Sequence, residues 1–255
     1  MNRRELLASL GAASVPFSVT DAGMQRSDAA LRVLAVSAHP ADFCSRAGGT
    51  LINHVRGGSR VKVIWLTHGE TNESQLLYKQ EPGISLAKVR KVREAEAFAA
   101  AEGIGAEGLM FGFGDNPLRM PPQRLEMLAR EISDFKPDII LTHWKEERAY
   151  PTHWLTSQSV IQAAQIADGS WDIRFFEPTI GMATRMGFIP DHYVDITGSF
   201  EQKMNATRKL PTQPRLVEYY TTCNRWRGLE SGTQYAEAFV RWAPKVPLES
   251  LLKVK

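Results

Sequence analysis

The chain has 255 residues, 43% of them hydrophobic, and 31 basic against 28 acidic residues give a net charge of +3. This length and apolar content allow a full hydrophobic core in one domain, which we expect over residues 30–255. The dispersed charges exclude a basic nucleic-acid surface, and the two cysteines, without a C-x-x-C pattern, exclude a disulfide framework or a thiolate metal site.

The first 29 residues differ in kind from the rest. They carry the pair Arg3-Arg4, the pair Leu6-Leu7 and a mildly apolar run, ASLGAASVPFSV. This pattern resembles a twin-arginine export leader, although it lacks an A-x-A cleavage site. The alternative is a frayed, disordered N-terminus. We expect a periplasmic location from the leader and a cytoplasmic one without it.

The first predicted strand leads into half of a metal site. The run Leu31–Val36, which is apolar except at Arg32, is typical of a strand buried on both faces of a parallel sheet. Pro40 ends the strand and a helix follows, so His39 and Asp42 lie in the turn where open α/β sheets bind ligands. An imidazole and a carboxylate three residues apart can bind one cation, and this pair suits zinc. The alternative is that Asp42 caps the helix while His39 packs on the sheet.

The second predicted strand brings carboxylates to the same edge of the sheet. It covers Arg60–Thr67, after Gly57 and Gly58 end the first helix. His68, Glu70 and Glu73 follow it. The two glutamates either cap and solvate their loop, or act as acid or base beside a metal, with Glu73 as first choice and Glu70 as second.

The alternation of strand, loop and helix continues through the middle of the chain. The pattern predicts a helix at Ser85–Glu102 with apolar positions at Leu86, Val89, Val92 and Phe98, a strand at Gly108–Phe113 that ends in a turn with Asp115, a helix at Pro122–Phe135, and a strand at Asp138–Thr142. In the less legible last third, we expect strands at Ile173–Glu177 and Tyr193–Ile196 and helices at Phe200–Lys209 and Gly232–Trp242.

The fourth strand supplies the third predicted metal ligand. His143 follows it directly, and His153 comes after Tyr150 at the start of another helix. His39, Asp42 and His153 are therefore the predicted ligand set. Four repeats of strand and helix indicate a mostly parallel, Rossmann-like three-layer α/β fold. No G-x-G-x-x-G or Walker A sequence is present, which disfavours nucleotide binding, and the Gly48-Gly49 pair indicates close helix packing.

Several segments together resemble the LmbE-like or PIG-L family of zinc enzymes, known chiefly as N-acetylglucosaminyl deacetylases. The matching pieces run from about Leu31 to Gly232 and include SAHPADF, AGGT, LTHGE, GFGD, KPDIILTHW and YVDIT. The resemblance implies a Rossmann-like fold and a Zn2+ ion bound by His39, Asp42 and His153.

The chain departs from the deacetylase pattern at the position of the general base. In that family the first turn reads His-Pro-Asp-Asp and the later loop reads His-x-Asp-His. Here Ala41 replaces the first Asp, while Tyr150 and Thr152 replace the first His and the Asp of the second motif. The Asp missing at position 41 is the family's general base, a role worth roughly 10²–10⁴ in rate.

A second branch with the same fold, the 4-oxalomesaconate hydratases of gallate degradation, is more similar over most of the chain. Shared pieces include the Ala-Asp-Phe continuation after His39, Glu73-Ser74, Phe176-Glu177-Pro178 and Glu218-Tyr219-Tyr220, whereas Thr152 and Thr179 depart from the branch. This resemblance implies a hydratase, or lyase, of aromatic catabolism that adds water to an unsaturated oxo-carboxylic acid.

The resemblance also implies roles for the remaining polar residues. Glu73, Glu70 and His143 are the candidate acid–base groups. The candidate substrate-binding residues are Arg90, Arg93, Arg119, Asp115 and Tyr150, the arginines because a guanidinium matches a carboxylate. Two alternatives stay open: an N-deacetylase in which Glu70, Glu73 or His143 substitutes for the base, and a zinc-retaining binding protein. The expected partner is a small carboxylate; self-association stays open.

Overall fold

The computed structural model describes residues 30–179 and 181–242, so the proposed leader lies outside the described residues. Its centre is one seven-stranded sheet with the order β3-β2-β1-β4-β5-β7-β6. The strands are β1 (Arg32–Ser37), β2 (Arg60–Thr67), β3 (Glu107–Phe113), β4 (Ile139–Thr142), β5 (Asp172–Phe176), β6 (His192–Asp195) and β7 (Ala236–Arg241). Strands β1 to β5 pair in parallel and β7 is antiparallel to both neighbours, which confirms the expected α/β class.

Helices cover both faces of this sheet. They are α1 (Asp42–Arg56), α2 (Gln75–Gln80), α3 (Leu86–Ile104), α4 (Pro122–Phe135), α5 (Pro151–Ile166), α6 (Phe200–Thr207) and α7 (Leu216–Ser231), with short 3₁₀ helices at Asn72–Ser74 and Thr184–Met186. Among the described residues, no helix combines the length and apolar character needed to cross a bilayer.

Strand β1 shows how the sequence divides the core. Val33 and Ala35 pack into the apolar cluster under α1, α3 and α6, while Leu34 and Val36 pack into the cluster under α4 and α5. All four side chains are inaccessible to solvent. A strand between two helical layers is buried on both faces, and for that reason residues 33–36 are all apolar instead of alternating with polar ones.

The predicted bounds of β2 and α4 are confirmed, but the predicted apolar face of α3 is wrong at both ends. Leu86 and Phe98 are 46% and 40% exposed. The buried face instead holds Val89, Arg93 and Glu96, because these two charged side chains pair with each other and with polar groups beneath the helix. The helix also continues to Ile104, where Gly105 adopts a left-handed conformation.

The predicted helix at Gly232–Trp242 is also wrong. A helix, α7, ends before it, and Gly232 stops that helix with a φ of 75°. Residues Ala236–Arg241 then form β7, inserted between β5 and β6. The run of helix-forming Ala and Glu residues misled the prediction, since tertiary pairing with two strands overrides local propensity.

Contacts at the middle of helix α1 hold this helix in place. Gly49 lies so close to Ile196 that a side chain there would come within 2.6 Å of it, which confirms the predicted close packing. Glu237 on β7 accepts hydrogen bonds from the backbone N–H groups of Gly49 and Thr50 and forms an ion pair of 2.7 Å with the buried Lys203. These contacts hold the helix whose first residue is Asp42.

Candidate metal centre

The turn after β1 positions two candidate ligands. The backbone N–H of His39 donates to Asp42 Oδ2 at 2.8 Å, and Asp42 begins α1. Both residues are almost fully buried, with exposed fractions of 5% and 3%. Because β1 lies at the centre of the sheet, this turn faces the crevice at the carboxyl ends of the parallel strands.

Four donor side chains meet at this turn: His39, Asp42, Glu73 and His153, whose ligand atoms all lie within 4.8 Å of one another. His39 Nδ1 is 3.1 Å from His153 Nε2 and 3.2 Å from Glu73 Oε1. Asp42 approaches with Oδ2 3.5 Å from His39 Nδ1 and Oδ1 3.6 Å from His153 Nε2. The three predicted ligands come together, and Glu73 joins them.

The pKa values of the two imidazoles are shifted in opposite directions. Burial alone would lower the pKa of His39, but Glu73 and Asp42 outweigh burial and raise it to about 10. Burial, together with His143, lowers the pKa of His153 to about 4. Burial would raise the pKa of Asp42, yet His143, His153 and Arg46 hold it well below its usual range. His39 and Arg93 likewise lower the pKa of Glu73 despite burial.

This donor set fits a divalent metal ion. Two imidazole nitrogens and two carboxylates that converge in a buried space are the ligands that borderline metals take in proteins. His153 Nδ1 is 3.0 Å from Glu147 Oε1, which leaves Nε2 as the nitrogen facing the cluster. A carboxylate on the second nitrogen is the usual support of a metal-binding histidine.

Sequence reasoning missed Glu147. This side chain is fully buried in the loop before α5, and its Oε1 also accepts from the Thr179 backbone N–H and hydroxyl at 2.8 and 2.7 Å. Its Oε2 accepts from Arg46 Nη1 at 3.2 Å. No periodic pattern joins a loop residue to a histidine six positions on. A buried glutamate is recognisable only once the fold is known.

His143, predicted as an acid or base, lies beneath the cluster. It is fully buried and stacks on His153 with ring centroids 4.2 Å apart. Its Nε2 lies 3.0 Å from the Ala38 amide nitrogen and 3.2 Å from Asp42 Oδ2, and its Nδ1 lies 3.1 Å from Arg46 Nη1. These contacts suit support of Asp42 and His153 better than contact with a substrate.

Arg93, predicted as a carboxylate clamp, is also fully buried. Its guanidinium donates to Glu96, Thr212, Gln213 and the His68 carbonyl, and its Nη2 lies 3.3 Å from Glu73 Oε2. With these partners, Arg93 holds Glu73 in place, and this role fits its contacts better than direct contact with a substrate.

Arg90 and Glu70 form an ion pair. Arg90 keeps 39% of its side chain exposed and donates to Glu70 Oε1 through Nε at 3.0 Å and Nη2 at 2.6 Å. Glu70 Oε2 is buried without a hydrogen-bond partner among the described residues. Arg90 is therefore the better exposed of the two predicted arginines on α3.

The remaining predicted substrate-binding residues lie in two loops. Asp115 is buried and its carboxylate accepts from the backbone N–H and the hydroxyl of Thr71, so it ties two loops together. Arg119 is exposed four residues later. Tyr150 is 42% exposed and stacks on His153 at 5.2 Å, which places an aromatic face beside the cluster.

Comparisons with known proteins give a consistent picture. The family model described as PIG-L, GlcNAc-PI de-N-acetylase, matches residues 34–164. The chain is 32% identical to 4-oxalmesaconate hydratase of Pseudomonas putida over 78% of this chain and 80% of that protein. It is 26% identical to a 1D-myo-inositol 2-acetamido-2-deoxy-alpha-D-glucopyranoside deacetylase of a Mycobacterium species, over 75% and 77%.

Among solved structures too, a hydratase is more similar to this chain than a deacetylase is. The 4-carboxy-2-hydroxymuconate hydratase of Pseudomonas putida superposes with a TM-score of 0.81 at 31% identity, covering 85% of this chain and 98% of that one. The N,N'-diacetylchitobiose deacetylase of Pyrococcus horikoshii superposes with a TM-score of 0.69 at 19% identity, covering 87% and 88%, and this match shows the fold alone.

Proposed function

The chain belongs to the PIG-L family of metal-dependent enzymes, and on that premise we propose that it is a zinc-dependent hydratase that adds water to an unsaturated oxo-acid carrying several carboxylates. The greater similarity to hydratases than to deacetylases, in sequence and in structure, supports this class. The substrate itself is inferred from the chemistry that the site offers.

One observation carries the choice of reaction. Position 41, where the deacetylase pattern has its general base, is an alanine that is 2% exposed and packs into the core under α1. A methyl group cannot take a proton from water. Water adds more readily to an alkene conjugated with a carbonyl than to an amide, so hydration tolerates this loss better than amide hydrolysis does.

Zinc is the metal that we propose. With ligand bonds of about 2.0–2.2 Å, neighbouring ligand atoms of a tetrahedral zinc site lie about 3.3–3.6 Å apart. The distances from His39 Nδ1 to His153 Nε2 and to Asp42 Oδ2 are 3.1 and 3.5 Å. Metal analysis of His39→Ala and His153→Ala beside the unmodified protein tests the site, and undiminished zinc in both variants would contradict it.

When bound, zinc would supply a Lewis acid that polarises the substrate carbonyl or lowers the pKa of water. Glu73 is our first choice for the proton transfers. Its side chain is 19% exposed at the cluster, and its lowered pKa keeps it ionised and able to accept a proton. In hydration, the water oxygen joins one alkene carbon and Glu73 carries the released proton to the other. Arg93 fixes the far oxygen of Glu73 during this transfer.

Substrate carboxylates have candidate partners at the exposed side of the cluster. Arg90 has both charge and exposure, and Arg119 lies in the loop after Asp115. Tyr150 offers an aromatic face to a planar conjugated acid next to His153. Glu70, held by Arg90, stays the second choice for acid or base.

One set of assays separates the candidate reactions. The zinc-loaded protein is incubated with a conjugated oxo-diene tricarboxylate and followed by loss of ultraviolet absorbance. In parallel it is incubated with N-acetylglucosamine derivatives and followed by release of acetate. Hydration without acetate release is the expected result. Acetate release without hydration would establish the alternative, an N-deacetylase, which the PIG-L description of residues 34–164 favours.

We propose export as a separate point, on the sequence alone. The pair Arg3-Arg4 before Leu6-Leu7 matches a leader for a machinery that carries folded proteins, which suits an enzyme loaded with metal beforehand. Catabolic hydratases work beside cytoplasmic enzymes, so export would favour the deacetylase. Cell fractionation and sequencing of the mature N-terminus test this, and an intact N-terminus in the cytoplasm would contradict export.

A further inference from the structure

A cavity lies between α2 and the segment that leads into α7. It has a volume of about 330 Å³, which is enough for part of a small ligand. Two of its lining residues belong to α2 and the others to the segment 212–219: Leu76, Lys79, Thr212, Gln213, Pro214, Arg215, Leu216 and Tyr219.

The charged side chains that line this cavity are all cationic. Of the described residues that line it, Lys79 and Arg215 are cationic and none is acidic. Neither cation forms an ion pair within residues 30–179 and 181–242; Arg215 instead lies over the ring of Tyr219, with its guanidinium carbon 4.6 Å from the centroid. Both side chains are exposed and free to turn toward an anion.

One residue that lines the cavity, Gln213, is linked to Glu73 through Arg93. Gln213 Oε1 accepts from Arg93 Nη2 at 2.8 Å, and the same Nη2 lies 3.3 Å from Glu73 Oε2. The buried guanidinium of Arg93 therefore links one lining residue of the cavity to Glu73. The side-chain nitrogen of Gln213, Nε2, has no hydrogen-bond partner in the described part of the chain. It is therefore available as a donor near the two cations.

We propose that this cavity is a carboxylate subsite that receives the end of the substrate remote from the reacting alkene. Lys79 and Arg215 supply charge to the carboxylate and Gln213 supplies an N–H donor. Leu76, Leu216 and Tyr219 cover the carbon chain between the two ends. The identity of the ligand as substrate rests on the proposed hydratase function, whereas the preference for a carboxylate follows from the lining residues.

A double variant, Lys79→Gln with Arg215→Gln, tests the subsite. Its control is Lys91→Gln with Arg130→Gln, which removes the same charge from exposed positions outside the cavity. The first measurement is calorimetric binding of tricarballylate, a saturated tricarboxylate, to metal-free protein, so that coordination by zinc does not contribute. The second is steady-state hydration of the oxo-diene tricarboxylate by zinc-loaded protein, and thermal melts compare the folding of the variants.

The subsite predicts roughly tenfold weaker tricarballylate binding in the cavity variant and unchanged binding in the control. It also predicts a KM raised roughly tenfold with kcat changed less than twofold. Equal binding by both variants would overturn the subsite, and weakened binding with unchanged KM would overturn its assignment to the substrate. If the unmodified protein catalyses no hydration, the proposed function fails, while the metal-free binding comparison still decides whether the cavity binds carboxylates.

Discussion

Glu147 and His153 are joined by a contact of 3.0 Å between Oε1 and Nδ1, in a pocket where Glu147 is fully buried. The carboxylate fixes both the rotation of the imidazole and the nitrogen that faces His39. We therefore expect the candidate metal site to depend on Glu147, which lies outside the ligand set that we propose.

Replacing Glu147 by Gln is expected to weaken zinc binding by about ten- to a hundredfold, the range typical for loss of a carboxylate behind a metal-binding histidine. Competition with a chromophoric chelator measures the affinity. Glu146→Gln is the matched control, because Glu146 is the adjacent glutamate and pairs with Lys145 and Arg148 at the surface. Equal affinities in the two variants would show that Glu147 does not support the ligand.

Zinc binding is expected to release about one proton from the cluster near pH 7.5. With its pKa raised to about 10, His39 is protonated in the metal-free protein and must lose that proton to bind a metal. His153, with its pKa lowered to about 4, is already neutral. Affinity should therefore rise with pH up to about 10.

Calorimetry in two buffers of different ionisation enthalpy counts these protons. Glu73→Gln provides the comparison, since it removes the carboxylate that contributes most to raising the pKa of His39. Fewer protons should be released by this variant. Zinc binding without proton release in the unmodified protein would contradict the assigned protonation of His39.

Glu73→Gln is expected to lower kcat by roughly 10²–10⁴ while zinc remains bound, because the amide cannot accept a proton. Glu70→Gln should reduce kcat less, since the Glu70 carboxylate is already engaged by Arg90. Steady-state rates and elemental analysis are measured on the same preparations. Loss of zinc from Glu73→Gln would instead identify Glu73 as a ligand.

Gly49→Ala is expected to reduce the free energy of unfolding by about 1–3 kcal/mol, because the new methyl group would overlap Ile196. Gly198→Ala is the control, since it has open space around it and no left-handed φ. Urea unfolding of the metal-free proteins compares the two. A Gly49→Ala variant as stable as Gly198→Ala would mean that α1 can shift to make room.

The parts of the fold that were predictable are those governed by local pattern. Strand β2 and helix α4 have the predicted bounds because β-branched runs and a proline at the helix start are local signals. Helix α7 and strand β7 were not predictable, since mixed polar and aromatic residues hide the first and long-range pairing creates the second.

In the candidate site, too, some residues were predictable from local pattern and others were not. The proposed ligands His39 and Asp42 share one turn, so their spacing along the sequence was enough to place them together. The buried positions of Arg93 and Glu147 depend on partners more than 30 residues away, such as Thr212 for Arg93 and Thr179 for Glu147. Without the fold, a buried arginine that holds an acid is indistinguishable from an exposed one that binds substrate.

The bonds from Glu237 to the N–H groups of Gly49 and Thr50 have a consequence for the order of assembly. Among the described residues, β7 is the last strand along the chain, yet it is inserted between β5 and β6 and secures α1. During synthesis, His39, Asp42 and His153 all leave the ribosome well before Glu237 does. A nascent chain thus carries every proposed ligand before it carries the contact that anchors α1.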